Sequence, residues 1–403
     1  MAGKEKLETK QDDRPYPSRP GSLPRELNQV TAQWLTELLG RKYQGLVVEK
    51  LEEVQLINSH TTKLRVKLHY NAVGQSVGLP QNVCLKSNWS EGFESGEICE
   101  LEARFYSMMQ NHLSAPVPRS YFADWDGDGS GRGVVMFEDL GCAAGTFGNS
   151  LDHLGGDGVA KGLESLAVLH ASLWDSPQLN QDWLHRSMNT AVDTEQVLRM
   201  YNYSKINIDR PAYREFLPDW LHQTPERFAH AFDELAAIDR EMAGPLCLVH
   251  GDSHQGNSFL RDNGERVWLD WQLVRKGKPW RDIVYFTLGA LTVEERRSSA
   301  RDLVNHYYDH LLSLGVQGAE SRDVAWQQFQ LWPVYGMQSW LSNMDVWGQS
   351  GGDMIRRFWT AAADYETVER LTEGKSPRRE IRLGEGAREV SPLIKDMLAR
   401  GEI

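Results

Sequence analysis

Hydrophobic and polar residues along the chain fall into two regimes. Up to about residue 22 there is almost no apolar periodicity. Charges mix with Pro15, Pro17, Pro20 and Gly21, so a disordered leader is expected over residues 1–22. The first periodic segment predicts a helix with Thr31 as N-cap and Gly40 just past its end. The period then changes to two. In Thr62–Tyr70, Leu64, Val66, Leu68 and Tyr70 share one face, while Lys63, Arg65, Lys67 and His69 share the other, the pattern of a half-buried strand. Val47–Ile57 and Asn82–Ser87 read as further strands. Glu94–His112 returns to helical spacing, with Ile98, Leu101, Phe105 and Met108 on one stripe. Pro116–Ala123 and Val134–Leu140 predict another strand pair around the turn-rich Asp126–Gly133.

From about residue 141, after a Gly-rich connection, the pattern is mainly helical. Two short strands interrupt it, Ser258–Arg261 and Glu265–Asp270. Asp262-Asn263-Gly264 separates them, a hairpin signal because Asn-Gly tolerates the positive φ of a tight turn. The expected fold is α+β and bilobal, with an antiparallel-sheet N-lobe over 23–140 and a mainly helical C-lobe over 141–403. A ligand cleft between the lobes is the natural site. Residues 373–390, dense in Lys, Arg and Glu, read as an exposed segment.

Composition narrows the partners. A formal net charge of −12 over 403 residues argues against a nucleic-acid partner, because phosphate backbones reward clustered Lys and Arg. The N-terminus has no apolar h-region, and no apolar run approaches the roughly 18 residues of a membrane span, so neither secretion nor membrane insertion is expected. Cys84, Cys99, Cys142 and Cys247 form no CxxC pair. Buried free thiols in a reducing cytoplasm are the expectation, with no zinc site. A monomer or weak dimer is expected.

The chemistry concentrates in Leu248-Val-His-Gly-Asp-Ser-His-Gln-Gly-Asn257, the hairpin after it, and Trp268-Leu-Asp-Trp-Gln272. Phosphoryl transfer needs a carboxylate to accept or orient the proton of the attacking hydroxyl, and hard oxygen ligands to hold Mg²⁺. Asp252 and Asn257 have the spacing of base and metal ligand in a kinase catalytic loop. Asp270 ends the second hairpin strand, so the hairpin returns it towards Asn257. Asn257 and Asp270 are therefore the candidate metal ligands and Asp252 the catalytic group. A merely polar loop is the bland alternative. The ordered combination of two glycines, a spaced amide, a hairpin and a strand-end aspartate speaks against it.

With these residues in place, the chain resembles the aminoglycoside phosphotransferase and choline kinase group of protein-kinase-like enzymes, most of all its ecdysteroid-kinase-like branch. The signatures are His250-Gly-Asp252-x-His254-x-x-Asn257, Asp270-Trp-Gln272 and Leu166-Ala-x-Leu-His170-Ala-x-Leu-Trp174, and the resemblance spans residues 25 to about 370. It implies ATP and Mg²⁺ as cofactors. It also implies a strand lysine on the nucleotide phosphates, which Lys86 fits, and a helical glutamate to hold that lysine. Glu102 borders the inward stripe, whereas Glu100 pairs outward with Arg104 at i,i+4, and Glu97 is a further competitor. Backbone groups around Glu138, Asp139 and Leu140 would meet the adenine edge. The phosphate-covering loop departs from the family by lacking glycine. Asn58-Ser59-His60-Thr61-Thr62 offers instead the hydroxyls of Ser59 and Thr61. His254 stands two after the catalytic aspartate, where protein kinases carry a lysine that meets the transferred phosphate; a supporting hydrogen bond is the alternative role. Asp282 resembles the family's brace for the catalytic loop, and His170 reads as a satisfied core histidine.

Other signals carry less. Asp124-x-Asp126-x-Asp128-Gly129 opens like a calcium loop, but Val135 stands at position twelve where a bidentate Glu is needed, so a polar hairpin turn is expected. Trp326, Phe329, Pro333, Met337, Trp340, Met344 and Trp347 step by threes and fours as an apolar helix stripe. Core packing is the bland reading of that stripe; the family resemblance implies that C-lobe helices wall the substrate pocket, which makes Trp332, Tyr335 and Trp340 candidates to line it. Only eleven residues separate Asp270 from Asp282, which leaves no room for the peptide-docking segment of a protein kinase. A small-molecule alcohol is thus the expected substrate, and the branch resemblance implies a bulky, fairly apolar one such as a steroid. An aminoglycoside- or choline-like cation and a nucleotide-binding scaffold are the alternatives. A hydrolase based on His250 or His254 lacks a nucleophile elbow.

Overall fold

A computed structural model describes residues 16–58, 61–89, 97–188, 207–342 and 344–378. The chain divides into two compact units. One contains the chain up to Gln110 together with Arg119–Cys142; the other contains Asn111–Pro118 and everything from Ala143.

The first unit is built on five antiparallel strands, β1 (Val48–Asn58), β2 (Thr62–Tyr70), β3 (Asn82–Ser87), β4 (Ser120–Trp125) and β5 (Gly133–Glu138), in the order β1-β2-β3-β5-β4. Alternation along β2 is complete, with Leu64, Val66, Leu68 and Tyr70 buried and the residues between them half-buried. These side chains share a core with Val83, Leu85 and Met136 and with Leu35, Leu38 and Leu39 of helix α1 (Ala32–Gly40). Each such burial contributes about 1.5–3 kcal/mol. Thr31 Oγ1 accepts from Trp34 N–H at 3.1 Å and so starts α1. A short α2 (Ala72–Ser76) follows β2, and α3 (Ile98–Met108) packs on β4 and β5. The expected helix over 94–112 is therefore shorter at its C-terminal end, where Gln110–His112 tightens into a 3₁₀ turn; 94–96 lie outside the described residues.

Two expectations change here. The strand expected from Pro116 begins only at Ser120. Neither Pro116 nor Pro118 can donate to a ladder. This stretch joins the second unit, with Ser114 N–H on Ser172 Oγ at 2.9 Å and Trp268 N–H on the Pro116 carbonyl at 3.2 Å. The described part of the expected leader, residues 16–22, is also held in place. Ser18 is buried, its N–H donates to Asp124 Oδ2 at 2.6 Å, and Leu23 N–H donates to Asp126 Oδ1 at 2.9 Å. Arg41 lies 3.5 Å from Asp124 and Arg132 3.7 Å from Asp126. The aspartates that mimic a calcium loop thus bind backbone N–H groups and arginines.

The second unit is mainly helical: α4 (Gly155–Ser172), α5 (Asp219–Gln223), α6 (Pro225–Glu241), α7 (Trp280–Ala290), α8 (Val293–Ser313), α9 (Arg322–Leu331), α10 (Pro333–Ser342), α11 (Met344–Asp364) and α12 (Thr367–Thr372). A reciprocal capping box between Thr292 and Glu295 starts α8. Every residue of α7 is buried, and α4, α10 and α11 pack on it. Strands β6 (Gly145–Phe147), β8 (Ser258–Arg261) and β9 (Arg266–Trp268) form one small sheet in the order β6-β8-β9, and β7 (Cys247–Val249) pairs with β10 (Arg275–Gly277). At three residues, β6, β7 and β10 are too short to show a period. Among the described residues no helix is long and apolar enough to cross a membrane.

Candidate active site

The segment that leaves β7 is fixed by one carboxylate. Asp282, in the first turn of α7, is fully buried. It accepts from His250 N–H at 2.7 Å and Gly251 N–H at 2.9 Å, and meets His170 Nε2 at 3.1 Å. Its own carbonyl accepts from the Ser253 hydroxyl at 3.0 Å. Burial alone would raise its pKa, but the hydrogen bond and charge of His170 outweigh that and hold it below the usual carboxylate range. His170 is the satisfied core histidine expected, its Nδ1 facing the Tyr307 hydroxyl at 2.8 Å. Gly251 lies at φ +88°, and a Cβ there would sit 2.0 Å from the Leu273 carbonyl, so no side chain fits.

This frame brings Asp252 and Asn257 together. Asn257 Nδ2 donates to the Asp252 carbonyl at 2.9 Å and to its Oδ2 at 2.8 Å. The oxygen of the amide is left as its acceptor face. His254 Nδ1 accepts from Gly256 N–H at 3.1 Å and lies 3.0 Å from Ser150 Oγ. An acceptor at Nδ1 places the hydrogen of the neutral ring on Nε2, which faces Asp252 Oδ2 at 3.8 Å.

The hairpin supplies the third group. Register pairs Ser258 with Trp268, and Leu269 N–H donates to the Asn257 carbonyl at 2.9 Å, so Asp270 follows directly on the residue bonded to Asn257. His250 Nε2 meets the Leu269 carbonyl at 2.7 Å from the other side. Burial holds the His250 ring below the ordinary histidine pKa. Asp270 is not a strand residue. It adopts the left-handed conformation at φ 65°, at a cost of roughly 1–2 kcal/mol for a residue with a Cβ, and turns the chain into the 3₁₀ turn Trp271–Leu273.

Sequence reasoning missed what ties this hairpin to the loop. Buried Arg266 donates from Nη1 to Gln255 Oε1 at 2.6 Å and Ser258 Oγ at 2.7 Å, and burial lowers its pKa to about 10. The available signal was alternation, since Arg266 lies two residues before the buried Trp268 and so shares its face.

The donor set suits a hard cation. Asp270 offers a carboxylate and Asn257 an amide oxygen, while among the described residues no cluster of three or more His, Cys, Asp or Glu could hold a metal by itself. A cation here would need other oxygens, such as phosphates and water, to complete its coordination, which is the habit of Mg²⁺.

In the first unit, alternation along β3 puts Cys84 and Lys86 opposite Val83 and Leu85. Lys86 Nζ lies 2.7 Å from Glu102 Oε2 and 2.9 Å from Oε1, with both side chains buried. Glu100 instead pairs with Arg104 at 2.5 Å, as the i,i+4 spacing indicates. β5 ends at Glu138, whose N–H donates to the Arg119 carbonyl at 2.9 Å. The Asp139 carboxylate accepts from Arg65 Nε at 2.8 Å and Gly141 N–H at 3.0 Å, and its carbonyl accepts from Cys142 N–H at 2.9 Å. That carbonyl is engaged in a turn, so Asp139 is a strut to β2. Leu140 is buried. Thr61 is fully buried, and Ser59 lies outside the described residues. Trp332, Tyr335 and Trp340 are buried too; the Tyr335 hydroxyl donates to the Gly251 carbonyl rather than facing a pocket. The side chains of Met344 and Trp347 lie outside the described residues.

A family described as a phosphotransferase enzyme family matches residues 93–318, more than half of the chain. The chain belongs to this family. An uncharacterized kinase-like protein of Caenorhabditis elegans is 26% identical over 220 residues, which cover 51% of this chain and 55% of that protein. The chain thus matches about half the length of that relative. Among solved structures, a choline/ethanolamine kinase family protein from Mesorhizobium loti is 14% identical with a TM-score of 0.44, covering 82% of this chain and 92% of its own. A macrolide 2′-phosphotransferase from Brachybacterium faecium is 16% identical with a TM-score of 0.42, covering 85% and 99%. Choline kinase from Streptococcus pneumoniae is 12% identical with a TM-score of 0.46, covering 83% and 99%.

Proposed function

We propose that this protein transfers the terminal phosphoryl group of ATP, with Mg²⁺, to a hydroxyl of a small molecule. The observation that carries the reading is the Asp252–Asn257 lock beside the hairpin that presents Asp270. Asp252 orients and accepts the proton of the attacking hydroxyl; Asn257 and Asp270 would hold the cation, which when bound would supply positive charge against the phosphates. Lys86, kept in place by Glu102, serves the phosphates of the nucleotide. His254 steadies Asp252 through its Nε2 face. Backbone groups of Glu138 and Leu140 remain the candidates for adenine.

The acceptor is a small alcohol. The stretch between Asp270 and Asp282 is taken up by the 3₁₀ turn and by β10, which pairs with β7, leaving no platform for a peptide. We extend the reading to a bulky, fairly apolar alcohol of steroid type, the acceptor that the resemblance to the ecdysteroid-kinase-like branch implies. The protein works in the cytoplasm, as a monomer or weak dimer.

The test is transfer of labelled phosphate from Mg·ATP to a panel of hydroxylated sterols, aminoglycosides and choline-like alcohols. Transfer to a sterol that vanishes in Asp252→Ala supports the reading. Transfer to a cationic alcohol alone overturns the steroid extension, and tight nucleotide binding with no turnover on any alcohol overturns the enzyme in favour of a scaffold.

A further inference from the structure

The peptide that carries Asp252 is gripped from behind by two residues that none of the roles above requires. The Gly251 carbonyl, next to Asp252, accepts from the Tyr335 hydroxyl at 2.9 Å and from Arg281 Nε at 2.9 Å. A carbonyl oxygen has two lone pairs, so both are engaged. The N–H at the other end of the same peptide unit, on Asp252, faces His250 Nδ1 at 3.2 Å. The unit is therefore held at its oxygen and at its nitrogen.

The two donors come from different helices, α7 and α10, and each sets the other. The Arg281 guanidinium lies 4.5 Å over the Tyr335 ring, and its Nη1 donates to the Ser187 carbonyl at 2.8 Å. Among the described residues no carboxylate pairs with Arg281, so its fork is directed at backbone oxygens. Both side chains are buried, 7% exposed for Arg281 and 8% for Tyr335. Burial also raises the Tyr335 hydroxyl pKa, which keeps it a donor.

The grip matters because the Gly251 backbone is restrained only by its surroundings, here Asp282 at its N–H and the two donors at its carbonyl. Gly251 has no side chain, sits at φ +88° and precedes the reactive carboxylate directly. A displacement of about 1 Å at a reacting group costs on the order of a hundredfold in rate. Building on the kinase reading above, we infer that Tyr335 and Arg281 are positioning residues that aim Asp252 by clamping the Gly251 carbonyl.

Tyr335→Phe removes one oxygen and keeps the ring under Arg281. Because the acceptor alcohol is unidentified, the rate is read as Mg·ATP hydrolysis to water. Affinity is read by calorimetry with a non-hydrolysable ATP analogue, and geometry by the Asp252 amide resonance. The expected result is a kcat lowered about ten- to a hundredfold, with the KM for ATP and the analogue affinity unchanged, a preserved melting transition and a shifted Asp252 resonance. Arg281→Lys, which keeps the charge and one donor, should fall between wild type and Tyr335→Phe. An unchanged kcat with an unmoved Asp252 resonance overturns the inference. So does a rate loss matched by an equal loss of nucleotide affinity or by collapse of the melting transition, since either marks a merely structural residue. Should the wild type neither bind the analogue nor hydrolyse ATP, the kinase reading fails, and the Asp252 resonance alone then decides whether the clamp exists.

Discussion

Asn257 gives its amide to Asp252 twice, to the carboxylate at 2.8 Å and to the carbonyl at 2.9 Å. The residue proposed to hold the cation therefore also orients the proposed base. Asn257→Asp keeps the size but replaces a donor with a second negative oxygen beside Asp252. Its kcat should drop by about 10²–10⁴-fold, the usual contribution of a positioned acid–base group. Turnover within a factor of a few of wild type would show that the lock is dispensable.

Lys86 and Glu102 form a buried pair, 2% and 3% exposed at their side chains. Removing one partner strands the other in a low-dielectric interior, which costs about 3–5 kcal/mol. Lys86→Met should show that loss in chemical denaturation. Adding Glu102→Leu should restore most of the stability without restoring affinity for the ATP analogue. A double variant no more stable than the single would mean that the charge pair is not the source of the cost.

Asp270 tests charge against backbone. Asn accepts the left-handed conformation more readily than other side-chain residues, so Asp270→Asn should fold normally. It should nevertheless need more Mg²⁺ for analogue binding, by about tenfold, in keeping with loss of one charged ligand. Asp270→Ala should show the same metal defect together with a lower melting temperature. A Mg²⁺ requirement identical to wild type in both variants would remove Asp270 from the metal site.

Acid should destabilise the second unit in two stages. Burial holds His250 below its ordinary value, so below roughly pH 6.5 the unfolded chain takes up a proton that the native one refuses, and stability falls with pH. Asp282 is held below the carboxylate range, so its contribution is present above about pH 3.9 and is lost as pH falls through its lower native value. Melting temperatures from about pH 2 to 8 should decline through the first window in wild type and again below about pH 3.9. The first decline should flatten in His250→Asn while the loss at lower pH remains. An equal slope in both proteins would assign the first stage elsewhere.

How much of this was legible depends on the range over which each signal acts. Strand β2 and the choice of Glu102 over Glu100 follow from periods of two and of three to four, which act within a few residues. The meeting of Asp252 and Asn257 was readable because they share one loop, and Asp270 returns through a two-stranded hairpin, so the chain itself carries the geometry. The clamp on Gly251 was not, because Arg281 and Tyr335 lie 30 and 84 residues away and an aromatic stripe on a helix looks the same whether its hydroxyl is engaged or idle. β7 and β10 were missed for a related reason. Three residues hold too little pattern, and their pairing is decided by partners 26–30 positions apart. At Asp139 the strand pattern gives no hint of the local turn that its carbonyl closes with Cys142 N–H.

The contacts of Ser18 and Leu23 bear on how the protein is handled at the bench. Tyr16 to Ser22 looks expendable, and a truncation starting at Pro24 would be an ordinary choice for crystallisation. That cut takes away the N–H groups that Asp124 and Asp126 accept from, and it removes Leu23 from the core of the first unit. Asp126, whose pKa burial already raises, would be left with Arg132 at 3.7 Å as its remaining counter-charge. Versions cut at Pro24 should thus be less soluble than the chain that keeps residues 16–23, with the instability originating where Asp124 and Asp126 lose those partners.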